Sequence, residues 1–305
     1  MKIRILPFLT LAVLYFCNSL SLHAQGCSDA GFCSVANGFL NKDENLKNNF
    51  ETGLVYGLGE EDVTNSSLYM SYTRTLSDRF DISAKITAAS ANGSFGTNTN
   101  LGDFFLTTNY NITKSDAKGA LWSVFLGAKI PFTNGNDKIN DVALPMPYQS
   151  SLGTFDAIGG LNLVIDKWDF NAAFQLPLTQ NSNTFRQQFA TSSNFQTTNL
   201  FERQPDLLFR SGYRFKTANQ KFTLKPNLLF IYHTGQDSIE NIIGQRQNIV
   251  GSEGLTLNAN FVVTYKVGTN SYLETSVAAP LVIRTERPDG LTRAFTAGVS
   301  FKTSF

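Results

Sequence analysis

The closing stretch Phe295-Thr296-Ala297-Gly298-Val299-Ser300-Phe301-Lys302-Thr303-Ser304-Phe305 changes character at every step. Successive side chains of an extended chain point to opposite faces. Phe295, Ala297, Val299, Phe301, Thr303 and Phe305 therefore share one face, and Thr296, Gly298, Ser300, Lys302 and Ser304 the other. The period is that of a strand, not of a helix. One face suits lipid and the other a wet interior.

Working outward, the pattern recurs. Phe80, Ile82, Ala84 and Ile86 oppose Asp81, Ser83, Lys85 and Thr87. Trp168, Phe170, Ala172 and Phe174 oppose Asp169, Asn171, Ala173 and Gln175, and Leu255, Leu257, Ala259, Phe261, Val263 and Tyr265 oppose Thr256, Asn258, Asn260, Val262 and Thr264. A soluble sandwich alternates in the same way with its apolar face inward, so the connections must decide. About twelve strands are predicted, near 48–59, 66–76, 79–90, 101–113, 120–132, 153–165, 167–178, 206–216, 220–233, 254–266, 271–284 and 292–305. Short links such as Asp166-Lys167 and Thr217-Ala218-Asn219 alternate with longer ones at 91–100, 133–152, 179–205 and 234–253. Such alternation is what a barrel gives when one rim faces the periplasm and the other the outside. The expected fold is all-β: a transmembrane antiparallel up-and-down β-barrel with both termini periplasmic.

Composition agrees. Charged residues make up only 16% of the chain and aromatics 12%, and no apolar run is long enough to cross a bilayer as a helix. A closed barrel satisfies its backbone between strands and needs no such run. Net charge is +1, which argues against nucleic acid as a partner. At the front, Lys2 and Arg4 precede an apolar run from Ile5 to Cys17, and Leu22-His23-Ala24 suits cleavage. The expected organisation is a signal peptide over 1–24, a periplasmic N-terminal segment or small plug over 25–47, and a barrel over 48–305 in the outer membrane of a Gram-negative bacterium. Cys17 leaves with the signal peptide, and Cys27 and Cys33 are disulfide candidates in an oxidising compartment. Acylation of Cys27 is disfavoured because Ala24-Gln25-Gly26 lacks the expected Leu.

Two features bear on strand placement. Trp122, Phe132, Trp168, Tyr213, Phe222, Tyr232 and Tyr265 fall near strand ends, as interfacial girdles require. Pro177, Pro226 and Pro280 fall inside proposed strands, so each should mark a bulge or a strand end.

Gly127-Ala128-Lys129-Ile130-Pro131, Leu144-Pro145, Gln149-Ser150-Ser151-Leu152-Gly153-Thr154-Phe155-Asp156 and Gly159-Gly160 resemble the outer-membrane family named for the meta-pathway of phenol degradation. That family is similar to the fatty-acid and aromatic-hydrocarbon transporter barrels. Ala279-Pro280-Leu281, Asp289-Gly290-Leu291 and the final Phe305 look like its closing region. The resemblance implies a channel or uptake barrel for small solutes, apolar or aromatic.

The polar faces yield lumen-lining candidates: Glu51, Asp81, Asp103, Asp156, Asp169 and Glu274 with Lys85, Lys129, Arg210, Arg214, Lys225, Arg284 and Lys302. Lys129 and Asp156 fall on adjacent strands and are expected to pair. The signs nearly balance, so the lumen is either weakly selective or knitted by ion pairs, and either narrow or blocked. In the long links, Tyr148, Phe185, Phe189, Phe195 and Phe201 either collect apolar solutes at the mouth or pack on one another as a cap. Phe305 is the expected signal to the barrel-assembly machinery. His233 is the sole histidine beyond residue 24, and no serine, histidine and acid set stands out. No enzyme, cofactor or metal site is expected. The function so read is passive passage of small solutes, and the alternative is a structural or surface-recognition barrel without an open pore.

Overall fold

The computed structural model describes residues 46–59, 61–114, 119–190, 195–290 and 293–305. The expected signal peptide, the Cys27–Cys33 disulfide and nearly all of the expected plug lie outside the described residues. Twelve strands form the wall: β1 (Asn48–Gly59), β2 (Thr64–Ser77), β3 (Phe80–Gly93), β4 (Gly96–Asn111), β5 (Ala120–Pro131), β6 (Asp156–Ile165), β7 (Trp168–Pro177), β8 (Asp206–Tyr213, continued by Phe215–Lys216), β9 (Phe222–His233), β10 (Gly254–Lys266), β11 (Ser271–Val282) and β12 (Arg293–Ser304). Each pairs antiparallel with its neighbours in sequence, and β1 pairs with β12 from Asn49 opposite Ser304 to Leu58 opposite Phe295. The barrel is therefore closed. Asn48 and Phe305 exchange backbone hydrogen bonds of 3.0 and 2.9 Å, which puts both ends of the barrel at one rim, the terminal rim. The opposite, loop rim carries the links 132–155, 178–205, 234–253 and 283–292.

The wall is inverted relative to a soluble protein, as the alternation requires. Leu54, Leu126, Phe209, Phe261, Val299 and Phe301 are exposed on the outside, while Asp81, Lys129, Gln175 and Ser300 are buried inside. Around the terminal rim Trp168 meets Tyr213 edge-on at 4.8 Å, and Phe222 packs on Tyr265 at 4.8 Å. These rings stand at strand ends, as a girdle does.

The three prolines resolve differently. Pro177 ends β7. At Pro280 the register slips, with Leu257 opposite Val282 and Asn258 opposite Pro280, so Leu281 is the bulged residue. Pro226 marks neither expected feature: it lies within β9, in register with Phe261, level with the break between Tyr213 and Phe215 on its other side. The missing N–H faces the place where the ladder to β8 is interrupted.

One expected loop is absent. The link 91–100 is instead strand, because β3 runs to Gly93 and β4 starts at Gly96, leaving a turn of Ser94 and Phe95. Gly96 has φ +103°, which the tight reversal needs and a side chain disfavours. Lower in this hairpin a register slip near Gly102 and Asp103 is clamped by Thr87. Its hydroxyl accepts from the Asp103 N–H at 2.8 Å and donates to the Asp103 carbonyl at 3.2 Å.

The loops at the loop rim fold over the mouth. Val63, Ala91, Leu144, Tyr148, Phe185 and Phe195 form one buried cluster, against which Phe95 packs. Phe95 lies edge-on to Tyr148, Phe185 and Phe195 at 5.5, 5.8 and 5.7 Å. Burying each ring stabilises the cap by roughly 1.5–3 kcal/mol. Polar groups set the loop paths. Asn183 donates to the carbonyls of Gly135 (2.8 Å) and Leu144 (3.0 Å), and Asp137 accepts from Asn98 at 2.8 Å. Gly290 has φ +69°, and a Cβ there would fall 2.4 Å from the Met146 carbonyl carbon.

Candidate functional site

The lumen is the candidate site, and its wall divides into two arcs. Along β3 to β8 the inward side chains are sealed from water. Lys129 and Asp156 pair at 2.9 Å with neither side chain exposed, and Thr154 joins them, accepting from Lys129 at 3.2 Å and donating to Asp156 at 2.6 Å. Gln175 donates to the other Asp156 oxygen. Asp103 accepts from Ser151 at 2.6 Å, and Asp81 from Thr75 at 2.7 Å. In this low-dielectric setting every partner matters, since a buried charge left alone costs several kcal/mol.

Along β9 to β12 and on to β1 and β2 the inward wall is mixed: Asn227, Thr256, Asn258 and Ser300 are buried, while the charged group of Glu51, Glu274 and Lys302 is only partly buried. Lys302 lies 2.9 Å from Glu274 and 3.7 Å from Glu51, with side chains 18–24% exposed. Tyr69 donates to Glu51 at 2.6 Å, and its ring carries the Lys85 ammonium 4.0 Å from the centroid. At the seam between the arcs Lys225 reaches Asp169 at 3.0 Å, beside the buried Arg210. Arg214 stands in the break of β8 between Tyr213 and Phe215 and donates to the Asp166 carbonyl at 3.4 Å.

Arg284 is not on the wall. β11 stops at Val282, two residues before the expected end, with Val282 opposite Leu257 as its last paired residue. Arg284 instead sits in the cap, donating to Asp289 at 2.8 Å and to the Ser252 carbonyl at 2.6 Å. With it come groups that periodicity did not reveal. Arg203 pairs with Asp206 and lies 3.5 Å from Asp289, and His233 stands between Asp206 (2.6 Å from Nδ1) and Asp237 (2.7 Å from Nε2). Carboxylates only accept, so both ring nitrogens donate and the imidazole is a cation. This latch ties the links 178–205, 234–253 and 283–292 together. Burial opposes charge on Asp289, but Arg284 and Arg203 outweigh it and hold its carboxyl below the ordinary range. With both nitrogens engaged, His233 has none left to activate a hydroxyl.

The cap also accounts for the loop aromatics. Tyr148, Phe185, Phe195 and Phe201 are buried in it, so they serve the packing, and Phe189 alone of the five is exposed. A cleft of about 770 Å³ remains at the rim between Glu61, Pro145, Phe195 and Arg287. Nor is the lumen face wholly polar. Phe105, Phe125, Ile158, Ala173, Leu208, Leu229 and Ile231 pack together inside the barrel. Gly160 makes room for them, since a Cβ there would meet the Phe125 ring at 2.7 Å. The signal was available: Phe104-Phe105-Leu106 and Leu207-Leu208-Phe209 are consecutive apolar residues that interrupt the alternation.

No protein-family model matches the chain, and no curated protein matches it. Among solved structures it is similar to an outer membrane channel from Pseudomonas putida F1, at 12% identity and TM-score 0.57, covering 87% of this chain and 100% of that one. It also matches a KdgM porin solved with disordered oligogalacturonate, at 9% identity and TM-score 0.45, covering 84% of this chain and 99% of that one. At 12% identity the likeness to the Pseudomonas putida F1 protein speaks to architecture alone, and this closed antiparallel twelve-stranded barrel has the fold of an outer-membrane barrel.

Proposed function

We propose that the protein is an outer-membrane channel of a Gram-negative bacterium that passes small solutes passively, with both termini in the periplasm. The observation that carries this reading is the charged group of Glu51, Glu274 and Lys302 on β1, β11 and β12, which faces inward and stays 18–24% exposed inside a barrel whose outside is apolar. The shared fold with a bacterial outer membrane channel supports it. The resemblance to the phenol meta-pathway family favours solutes with an apolar or aromatic part. The short links at the terminal rim favour the periplasmic side for it. Residues 25–47 then serve as a periplasmic segment or plug, and Phe305 engages the barrel-assembly machinery.

Planar-bilayer recording of the refolded protein tests this reading, with and without residues 25–46. Discrete conductance steps are expected, larger in the truncated form if the segment is a plug. Silence in both, with a β-rich circular dichroism spectrum, would move the reading to a barrel without an open pore. One observation favours that second reading: the cap around Tyr148 and Phe195 is packed like a protein core.

A further inference from the structure

We propose that the terminal rim is a docking ring for anionic phospholipid headgroups, held by cations that stand beside the aromatic girdle. The proposal goes beyond the channel reading and needs only that the barrel spans a membrane.

The short links at this rim are basic. The stretch from Arg214 to Lys221 holds Arg214, Lys216 and Lys221 and no carboxylate. Lys266 leads into a turn, Val267 to Asn270, that carries no charge. Lys47 and Arg74 stand at the same rim, since Lys47 precedes β1 and Arg74 lies opposite Asn48. The acidic side chains among the described residues of these links are Asp78, beside Arg79, and Asp166, beside Lys167. Lys47, Arg74, Lys167, Lys216, Lys221 and Lys266 are all exposed, and none of them is in an ion pair among the described residues. The loop rim has the opposite sign. Its β1–β2 turn holds Glu61 and Asp62 with no cation, and outside the latch the link 234–253 sets Glu240 and Glu253 against Arg246.

An exposed lysine is ordinarily solvated and nothing more, so placement decides the matter. Lys167 precedes Trp168, Lys221 precedes Phe222, Lys216 follows Phe215 and Lys266 follows Tyr265. Arg79 donates to the Tyr110 hydroxyl at 3.2 Å. These rings belong to the girdle of this rim: Trp168 meets Tyr213, Tyr213 meets Phe215 at 4.5 Å, and Phe222 packs on Tyr265. Girdle rings sit at headgroup level. A cation one residue away therefore lies near the depth of the lipid phosphates, and a lysine stem can run along apolar surface while its ammonium reaches the polar layer. The pairing of ring and cation recurs at the β2–β3, β6–β7, β8–β9 and β10–β11 links, so it runs round the circumference. A globular partner would meet one side of the barrel, whereas a lipid leaflet meets every strand pair alike. An anionic leaflet attracts basic side chains held this close to it.

The test uses the chain's two tryptophans, Trp122 and Trp168, which both stand exposed at this rim near the starts of β5 and β7. The full-length protein is refolded into phosphatidylcholine vesicles containing a small fraction of brominated phosphatidylglycerol or brominated phosphatidylcholine. Quenching of tryptophan fluorescence then reports which lipid lies against the ring. Phosphatidylglycerol is expected to associate roughly threefold or more tightly than phosphatidylcholine at low salt, and the preference should fade in about 1 M potassium chloride. Lys167→Gln, Lys216→Gln and Lys221→Gln combined should cut the preference by roughly half or more, while Lys138→Gln at the loop rim should leave it unchanged. Equal quenching by the two brominated lipids at low salt would overturn the ring. So would a preference that survives high salt or the combined variant, and the salt series decides the matter if that variant fails to fold. Conductance is recorded separately in pure phosphatidylcholine. A silent barrel that prefers phosphatidylglycerol would keep the ring and remove the channel, and a conducting barrel without the preference would do the reverse.

Discussion

The ion pair of Lys129 and Asp156 on the arc from β3 to β8 and the charged group of Glu51, Glu274 and Lys302 on the arc from β9 round to β2 use the same residue types, yet they differ in their access to water. In the first, Lys129, Asp156, Gln175 and Thr154 form one hydrogen-bonded set that does not meet water. In the second, Glu51, Glu274 and Lys302 form a similar set that water reaches. The lesson is that charge on an inward face does not make a pore. The sealed arc uses its ions as mortar, where removal of one leaves its partner stranded, and the wet arc holds its ions at modest cost.

The sharpest way to break this comparison is to delete one lysine from each arc. Lys129→Met should destabilise the barrel by about 3–5 kcal/mol, because it leaves Asp156 uncompensated in a dry interior. Lys302→Met should cost about 1 kcal/mol or less, since water screens Glu274 and Glu51. Urea unfolding in detergent reads both, and equal losses would erase the distinction. A second test concerns the cap that completes the sealed region. Tyr148→Ala should cost about 3–5 kcal/mol of local stability by opening a cavity beside Phe95 and Phe195. Faster proteolysis of the loop rim and a rise in conductance would follow, and unchanged conductance would mean that the cap does not limit passage.

A third test crosses the wall of the wet arc. Val299→Arg, facing outward, should hinder insertion by about 2–4 kcal/mol if it lies at mid-membrane, and Ser300→Arg, facing inward, by less. Folding yields into vesicles compare the two, and equal yields would undermine the assignment of inside and outside. The smallest effect is pH dependence at the latch. The Asp289 carboxyl is depressed when folded, so its contribution is fully present above the ordinary carboxylate pKa of about 3.9 and fades as pH falls through the lower folded value. Loop-rim protease resistance should therefore not fall between pH 7 and about 4 and should decline only below that range. A decline already at pH 6 would place the controlling group elsewhere.

Much of the architecture was legible from alternation alone. Phe295 to Phe305 read correctly as an outward apolar and an inward polar face, and Asp166-Lys167 as a tight link, because side-chain direction in a strand is local geometry. Link lengths sufficed for antiparallel neighbours. The hairpin tip at Ser94 and Phe95 was misread as a loop, because Asn, Thr and Gly over 91–100 carry turn chemistry that the β3–β4 ladder overrides. Pro226 misled for a related reason: the break that tolerates it lies in another strand.

The site was less legible. Lys129 and Asp156 were paired by strand adjacency, but Arg284 was assigned to a wall it does not join, and the latch adds Arg203, Asp237 and Asp289 from three links to Asp206 and His233, which face each other across β8 and β9. The sequence by itself determined which way each strand residue faces, because that follows from the two-residue period of an extended backbone. Only the tertiary structure decided which inward groups are sealed and which stay wet, because burial depends on what the closed wall and the folded-over loops bring against each side chain from far along the chain.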